Sequence, residues 1–151
     1  MIIRKGTEED IDQAIELGRL YHKETPMGNM PFNESKGREL IHAILKTGLG
    51  IVAEDNGQLV GMMGAYVTTH FFSDALCAQD YLIYIKPQYR GAGLSKRFLD
   101  VYIFWAESQG VERENIFLGI NSGIDASRTE KIYISKGFKR HGISMRMGRK
   151  K

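Results

Sequence analysis

The sequence predicts a mixed α/β fold in which about four helices flank one central, mainly antiparallel sheet. Three observations support this class. Segments with helical and with strand-like apolar spacing alternate in the order β-α-α-β-β-β-α-β-α-β. An Asn-Gly turn joins two of the three consecutive central strands, which favours an antiparallel meander. The chain has 151 residues, the usual size of one compact domain, and shows no linker or repeat. We therefore expect a single domain over residues 1–151.

The composition is that of a globular protein without a broad basic surface. Hydrophobic residues make up 42% of the chain and charged residues 26%, which supplies a core and argues against disorder. The net charge is +3, but residues 149–151 are all basic, so the rest of the chain is neutral. A neutral body argues against a nucleic-acid partner. No apolar run approaches the roughly 18 residues of a membrane span, so we expect a cytoplasmic protein with no membrane partner.

Two helices are predicted before the central strands. Thr7 is a typical helix N-cap residue, and Asp10 follows three residues later in a variant of the capping-box pattern. Apolar residues at helical spacing follow this cap. Two prolines and a glycine break the pattern in residues 25–32, which we expect to form a mobile apolar loop. Asn33 can cap a second helix, which Gly48 ends.

The remaining elements follow from the apolar period and from turn residues. Asn56-Gly57 between two apolar runs is a strong hairpin signal. Pro87 ends the third strand of the meander, and Gly110 ends the long helix after it. The predicted strands cover residues 2–4, 51–54, 59–68, 81–85, 116–120 and 143–147, and the last two helices cover residues 94–109 and 127–136.

The segment after the meander has the pattern of a phosphate-binding turn. Gln88, Gly91 and Gly93, with Arg90 among them, lie where a strand ends and a long amphipathic helix begins. Glycines allow an anion to approach backbone N–H groups, and a helix N-terminus adds free donors and a positive dipole. A P-loop sequence is absent, and a dinucleotide fingerprint needs a third glycine where Lys96 stands. The sequence therefore predicts a pyrophosphate cradle of another type.

The pattern Gln88-x-x-Gly91-x-Gly93 resembles the coenzyme A-binding signature of the GNAT superfamily of N-acyltransferases. Tyr133, four residues before the pair Gly137-Phe138, is similar to the family's late helix and following strand start. Both signatures occur in the family's order, and the order of elements matches over essentially the whole chain. The resemblance implies a GNAT-like fold and an N-acetyltransferase that transfers an acetyl group from acetyl-coenzyme A to a primary amine by direct attack in a ternary complex.

The resemblance also implies how the chain binds coenzyme A. The pyrophosphate would lie on the glycine turn and the start of the long helix. The pantetheine arm would lie between the fourth and fifth strands, which splay apart in the family, and would bond to the fourth-strand backbone. A free N–H there could steady the oxyanion. The predicted cofactor-binding residues are Leu82, Ile83, Ile85, Gln88, Arg90, Gly91, Ala92, Gly93, Leu94 and Ser95.

The catalytic residues are less determined by the resemblance than the cradle. Tyr133 is the candidate general acid for the departing thiolate, and a tyrosine of ordinary pKa near ~10 is protonated at neutral pH. Asp80, Glu54 and Glu24 are the three candidate bases, and none of them matches a family motif. Some relatives carry a glutamate at the fourth-strand position where this sequence has Tyr81. The base can therefore act directly, act through water, or be unnecessary for an amine of low pKa.

The amine acceptor is expected between two long connections, residues 25–32 and 69–78. Together they carry apolar side chains beside acids, which suits an amine on an apolar body. These side chains are Met27, Met30, Phe32, Phe71, Phe72, Glu24 and Asp74.

Several alternatives remain at this stage. A non-catalytic acyl-coenzyme A-binding regulatory module is the chief alternative function, since such a module keeps the cradle without a working base. The acceptor's identity is open, and so is the choice between a monomer and a homodimer. No metal is predicted, because the four histidines have no helical i, i+3 or i, i+4 pairing. Cys77 is the only cysteine, which excludes an internal disulfide and a cysteine-rich zinc site.

Overall fold

The computed structural model describes residues 1–150, which form a five-stranded sheet and four helices. The strands lie in the order β1-β2-β3-β4-β5, antiparallel except for the parallel pair β4 and β5. The predicted fold class is confirmed. The elements are β1 Ile2–Lys5, α1 Ile11–Glu24, α2 Glu34–Thr47, β2 Leu49–Asp55, β3 Gln58–Thr69, β4 Leu76–Ile85, α3 Leu94–Ser108, β5 Ile116–Phe117 and α4 Ala126–Ser135.

The turns and caps expected from the sequence are present. Asn56 and Gly57 have φ values of +49° and +78°, the left-handed pair that a two-residue hairpin requires between β2 and β3. The Asp10 carboxylate accepts a hydrogen bond of 2.8 Å from the Thr7 N–H before α1. Asn33 caps α2 by accepting from the Lys36 N–H at 3.0 Å. The expected loop at residues 25–32 contains a 3₁₀ turn, Pro26–Asn29.

The helices cover the sheet on two faces, and each face has its own core cluster. On one face Phe98 and Tyr102 of α3 pack against the central strands together with Val60 and Met63. On the other face Leu17 of α1 packs with a second set, Val52, Leu59, Met62 and Tyr84. The faces are called the α3 face and the α1/α2 face below.

The third strand of the meander is longer than the sequence analysis predicts. β4 begins at Leu76 rather than at Tyr81, so the connection from β3 spans only residues 70–75. A bulge interrupts the ladder, because Gly64 pairs with Leu82 while Ala65 pairs with Asp80. Tyr81 is left without a partner on β3. Its own backbone therefore lies outside the regular ladder, one residue before Leu82.

The end of the chain differs from the prediction. Residues 138–150 contain neither helix nor strand, so the predicted strand over 143–147 was wrong. Ile143, Met145 and Met147 alternate as strand residues do, yet they are 78%, 89% and 92% exposed. Such a segment needs a paired neighbour and a core to cover one side, and it has neither among the described residues. β5 is likewise shorter than predicted and ends at Phe117 instead of residue 120.

Candidate active site

A cleft opens where β4 and β5 diverge. The two strands pair only through Ala78 with Ile116 and Gln79 with Phe117. β4 continues to Ile85, so its outer edge beyond Gln79 has no strand beside it within residues 1–150. The cleft has a volume of about 250 Å³ and is lined by this edge, by the segment after β5 and by α4. The splayed strands that the resemblance implied are thus present.

The glycine turn forms one end of the cleft. Gly91 and Gly93 have φ values of +94° and +81°, a region that side chains rarely adopt, so glycine is needed at both positions. α3 begins directly after Gly93, and no side chain of the described residues caps it. Its first N–H groups are therefore free for an anion. Arg128 of α4 adds a cation, since a Cβ built on Gly91 would lie 3.2 Å from its guanidinium.

Arg90 ties the turn to two other elements. Its Nε donates to the Ile85 carbonyl at the end of β4 at 2.8 Å, and its Nη2 donates to Glu24 at 2.7 Å. The Tyr84 hydroxyl also donates to Glu24, at 2.5 Å. Burial acts to raise the pKa of Glu24, but the hydrogen bonds from Tyr84 and Arg90 outweigh it and leave the pKa lowered. The same burial and contact raise the pKa of Tyr84 to about 12.

Asp80 joins β4 to the segment after β5 within the cleft. Its Oδ1 accepts from the Gly119 N–H at 2.9 Å and from the Gln79 side-chain amide at 2.8 Å. Burial raises the pKa of Asp80, and these hydrogen bonds offset only part of the shift. A carboxylate with a raised pKa binds a proton more readily at neutral pH, which is what a base requires.

Tyr133 lies on the α4 side of the same cleft. Its side chain is buried, and its ring lies 6.2 Å from that of Phe138. Burial raises the pKa of Tyr133, and the charge of Asp80 raises it further. Tyr133 is one of the residues that line the cleft. Tyr133 therefore stays protonated at physiological pH and presents a donor to the cleft.

The bulge on β4 lies in the middle of the cleft wall. Tyr81 is bulged there, and its ring is 4.5 Å from the ring of Tyr66. Bulges change the direction of backbone groups and leave them unpaired. At the bulge, the backbone N–H of β4 is outside the regular pairing with β3 and can point into the cleft.

The structure brings most of the predicted site residues together. Leu82, Ile83, Ile85, Arg90, Gly91 and Ser95 line the cleft, as do Asp80 and Tyr133. The predicted residues Gln88, Ala92, Gly93 and Leu94 do not line it. The side chain of Leu94 is instead buried in the core, so only the backbone of Leu94 can contact a ligand.

Two of the candidate bases lie elsewhere. Glu24 does not line the cleft and is connected to it through Arg90 and Tyr84, which do. Glu54 lies on β2 and is paired with Arg4, whose Nη2 is 2.7 Å from its carboxylate. Asp80 is thus the one candidate base of the three that the structure places in the cleft.

The predicted acceptor site is not assembled in the structure. Phe71 and Phe72 are 92% and 96% exposed at the tip of the β3–β4 hairpin and line neither the cleft nor the cavity on the α1/α2 face. The reason is the early start of β4, which leaves only a short turn, residues 70–75. Phe32 does line a cavity, on the α1/α2 face, together with residues from both helices.

Sequence reasoning missed Arg128 and Tyr21, which both line the cleft. Arg128 lies in the first turn of α4, where nothing in the local pattern distinguishes it from a solvent-facing cation. Tyr21 continues the helical spacing of apolar residues in α1, so the pattern predicts a core residue there. Burial raises the pKa of Tyr21, with a smaller contribution from the charge of Asp80.

Residues 1–150 contain neither a metal-binding cluster nor a membrane-spanning helix. No group of three or more His, Cys, Asp or Glu side chains in residues 1–150 is arranged to hold a metal ion. None of the helices in that part of the chain has both the length and the apolar character needed to cross a membrane.

The sequence matches one family model. Residues 16–128 match the model of the acetyltransferase (GNAT) family. No curated protein matches the chain. The match includes the glycine turn, β4 and the start of α4.

Solved structures share the fold over nearly the whole chain. An aminoglycoside antibiotic 6'-N-acetyltransferase from Acinetobacter haemolyticus has a TM-score of 0.74 at 16% identity, over 99% of both chains. A ribosomal-protein-alanine N-acetyltransferase from Brucella melitensis biovar Abortus 2308 has a TM-score of 0.74 at 18% identity, over 98% of this chain and 99% of that one. A predicted acetyltransferase from Clostridium acetobutylicum, solved with acetyl-coenzyme A, has a TM-score of 0.74 at 16% identity, over 97% and 95%. At these identities the likeness shows the fold.

Proposed function

The chain belongs to the acetyltransferase (GNAT) family, and from this premise we propose that it transfers the acetyl group of acetyl-coenzyme A to a primary amine by direct attack in a ternary complex. One observation carries the proposal. A single cleft is lined by residues of the glycine turn, by the unpaired edge of β4 and by Tyr133, which supports an anion site, a backbone edge and a proton donor within reach of one ligand.

The cradle fits the pyrophosphate of coenzyme A. A Cβ on Gly93 would meet no atom within 4 Å, so the space above this turn is open to a ligand. The free N–H groups at the start of α3 supply hydrogen-bond donors, and Arg90 and Arg128 supply positive charge. The free edge of β4, with Leu82, Ile83 and Ile85, offers backbone groups to the amides of the pantetheine arm in the manner of an added strand.

Bound acetyl-coenzyme A supplies the thioester whose carbonyl carbon the amine attacks. We assign the backbone N–H at the bulge, beside Tyr81 and Leu82, to the carbonyl oxygen, where negative charge develops during attack. The Tyr133 hydroxyl donates its proton to the departing sulfur. Cys77, the one thiol of the chain, is not among the residues that line the cleft, which favours direct attack over an acyl-cysteine.

Asp80 is the base that we favour for removing the proton of the amine. It lines the cleft, and burial raises its pKa, which makes the carboxylate a stronger base. Glu24 is less suited, because its carboxylate is already bonded to Tyr84 and Arg90 and its pKa is lowered. We assign Glu24 instead to holding Arg90 at the glycine turn.

A thiol-release assay with acetyl-coenzyme A and a panel of amines tests the function, and Tyr133→Phe tests the mechanism. This variant removes one oxygen and keeps the ring, so kcat should fall by roughly 10²–10⁴, the usual contribution of a general acid. The KM for acetyl-coenzyme A and the thermal stability should change little, because the lost interaction acts mainly in the transition state.

Tyr102→Phe is the matched control. The Tyr102 hydroxyl donates to the Phe117 carbonyl at 2.7 Å inside the α3 face, so its loss should cost stability, about 1 kcal/mol, with kcat retained. A folded Tyr133→Phe enzyme with undiminished kcat would contradict the role of Tyr133. If the protein binds coenzyme A but releases no coenzyme A thiol from acetyl-coenzyme A with any amine of the panel, the transferase proposal is overturned in favour of a non-catalytic acyl-coenzyme A-binding module.

A further inference from the structure

A second cavity lies on the α1/α2 face, between the two helices and the sheet. It has a volume of about 190 Å³, and its walls are almost entirely carbon. We name it the α1/α2 cavity. Its walls include Ile15, Gly18, Gly37, Ile41, Ile44 and Leu82. We propose that this cavity binds the apolar body of the acceptor amine, an inference that rests on the proposed transferase function.

Glycines from both helices line the cavity. Gly18 lies in the middle of α1 and Gly37 in the first half of α2, and both have ordinary negative φ values. Their conformations therefore do not require glycine, although glycine is unfavourable inside a helix. What distinguishes these positions is the missing side chain. A Cβ on Gly18 would lie in ordinary contact with the ring of Phe32, at 3.8 Å, whereas a Cβ on Gly37 would lie only 3.1 Å from Cδ1 of Ile15, so Gly18 has more room for a side chain.

The α1/α2 cavity adjoins the active-site cleft. Tyr21 and Leu82 line both of them. Leu82 also follows Tyr81, the bulged residue whose backbone we assign to the carbonyl oxygen of the thioester. A group held in the α1/α2 cavity therefore lies one residue away from the position where bonds form and break.

Size and polarity define the chemical class of the occupant. An apolar cavity of ~150 Å³ can hold a benzene molecule. The α1/α2 cavity is somewhat larger, so a phenyl ring or a short branched chain fits it. The hydroxyl groups of a sugar would lose their water there and find few partners. Asp10 lines the wall, but its carboxylate already accepts hydrogen bonds from Arg4 and from the Thr7 N–H.

The polar end of the acceptor has its partners at the junction with the cleft. Asp80 lines the cleft beside Tyr21, close enough for its charge to raise the pKa of that tyrosine. A carboxylate attracts an ammonium group and can later accept its proton. The acceptor that fits both parts carries its amine on an apolar body, with the amine directed towards Asp80.

A pair of amines and a pair of acyl donors test the proposal in the thiol-release assay. 2-Phenylethylamine carries the apolar body, and ethylamine lacks it. Wild-type kcat/KM should be at least about tenfold higher for 2-phenylethylamine, the size of effect that burying several apolar carbons gives. Acetyl-coenzyme A and hexanoyl-coenzyme A serve as donors to distinguish an acceptor site from an acyl-chain site.

Gly18→Leu fills the α1/α2 cavity from α1, and Gly18→Ala is its matched control. Both variants remove the helical glycine, but only the leucine side chain extends beyond its Cβ into the cavity that Gly18 lines. Gly18→Leu should abolish the preference for 2-phenylethylamine, while kcat/KM for ethylamine and KM for acetyl-coenzyme A stay unchanged. Gly18→Ala should keep the preference. Ile41→Phe enlarges a wall side chain of the same cavity from α2, and it replaces Gly18→Leu if thermal denaturation shows that variant to be unfolded.

Each failure has a separate signature. Equal kcat/KM for the two amines in the wild type, or a preference that folded filling variants keep, overturns the acceptor assignment and leaves the transferase function standing. A preference for hexanoyl-coenzyme A that Gly18→Leu removes overturns it in favour of an acyl-chain site. Absence of thiol release with both amines and with the wider amine panel overturns the proposed function itself.

Discussion

Phe98 and Tyr102 of α3 are completely enclosed against the sheet, whereas Gly18 of α1 and Gly37 of α2 face the α1/α2 cavity of about 190 Å³. The same sheet is therefore closely packed on one face and open on the other. On the α3 face, large side chains fix the helix that carries the glycine turn at its start. On the α1/α2 face, small residues leave room beside β4. One face acts as a scaffold for the cradle, and the other leaves space for a ligand.

The largest expected effect tests the packing difference itself. Phe98→Ala removes a fully enclosed ring and should lower the free energy of unfolding by about 3–5 kcal/mol. Ile44→Ala, at the wall of the α1/α2 cavity, should cost about 2 kcal/mol, the low end for such a change, because it removes fewer contacts. Urea denaturation measures both. Equal losses would mean that the two faces do not differ in packing.

The next effect tests the cradle on the scaffold side. Gly93→Val should weaken coenzyme A binding at least about tenfold, or 1.4 kcal/mol, because the side chain enters the anion's space. Gly57→Val is the control, since Gly57 has φ +78° against +81° for Gly93, and neither glycine has an atom near its missing Cβ. Both variants strain the backbone by about 1–2 kcal/mol. Calorimetry that shows unchanged affinity in folded Gly93→Val would remove the cradle from this turn.

The smallest effect concerns Asp80, at the boundary between the two faces. Burial raises the pKa of Asp80 in the folded protein above its unfolded value, so the folded state binds a proton more readily. The carboxylate therefore destabilises the fold above the folded pKa, and this cost disappears below the unfolded pKa of about 3.9. Asn keeps an oxygen that can accept from Gly119 and Gln79.

Asp80→Asn should accordingly raise the Tm at pH 7 by a few degrees at most, about 2–4 °C per kcal/mol, with the gain lost near pH 3.5. Its kcat at pH 7 should fall if Asp80 is the base. Thermal melts across pH together with the thiol-release assay measure the two effects. A lower Tm at pH 7 would show that the charge itself stabilises the strand junction.

The sequence predicted those features that depend on neighbouring residues. Asn56-Gly57 specified the hairpin because few other pairs adopt two left-handed conformations in succession. Gly91 and Gly93 indicated a turn before α3 for the same reason, and both have positive φ values. Asn33 and Gly48 marked both ends of α2, since caps act within one turn of the chain.

The features that the sequence did not reveal depend on distant partners. The apolar alternation from Ile143 to Met147 predicted a strand, but no neighbouring strand pairs with it. β4 begins at Leu76 because it pairs with the end of β3, and nothing in residues 76–80 alternates clearly. The contact of Glu24 with Arg90 joins residues 66 positions apart. Cavities likewise result from the packing of several elements, which a local pattern does not record.

The guanidinium of Arg90 joins the end of β4, the end of α1 and the start of the glycine turn. The chain entering the turn is thereby held in one arrangement before any ligand arrives. The conformational entropy lost in ordering this segment is lost when the protein folds, and little of it remains to be lost on binding. For the pyrophosphate that we propose to bind at this turn, Glu24 and Ile85 would thus contribute to affinity without touching the anion. A loop released from these two contacts would keep its glycines and its donors, yet it would bind more weakly because it would have to order itself each time.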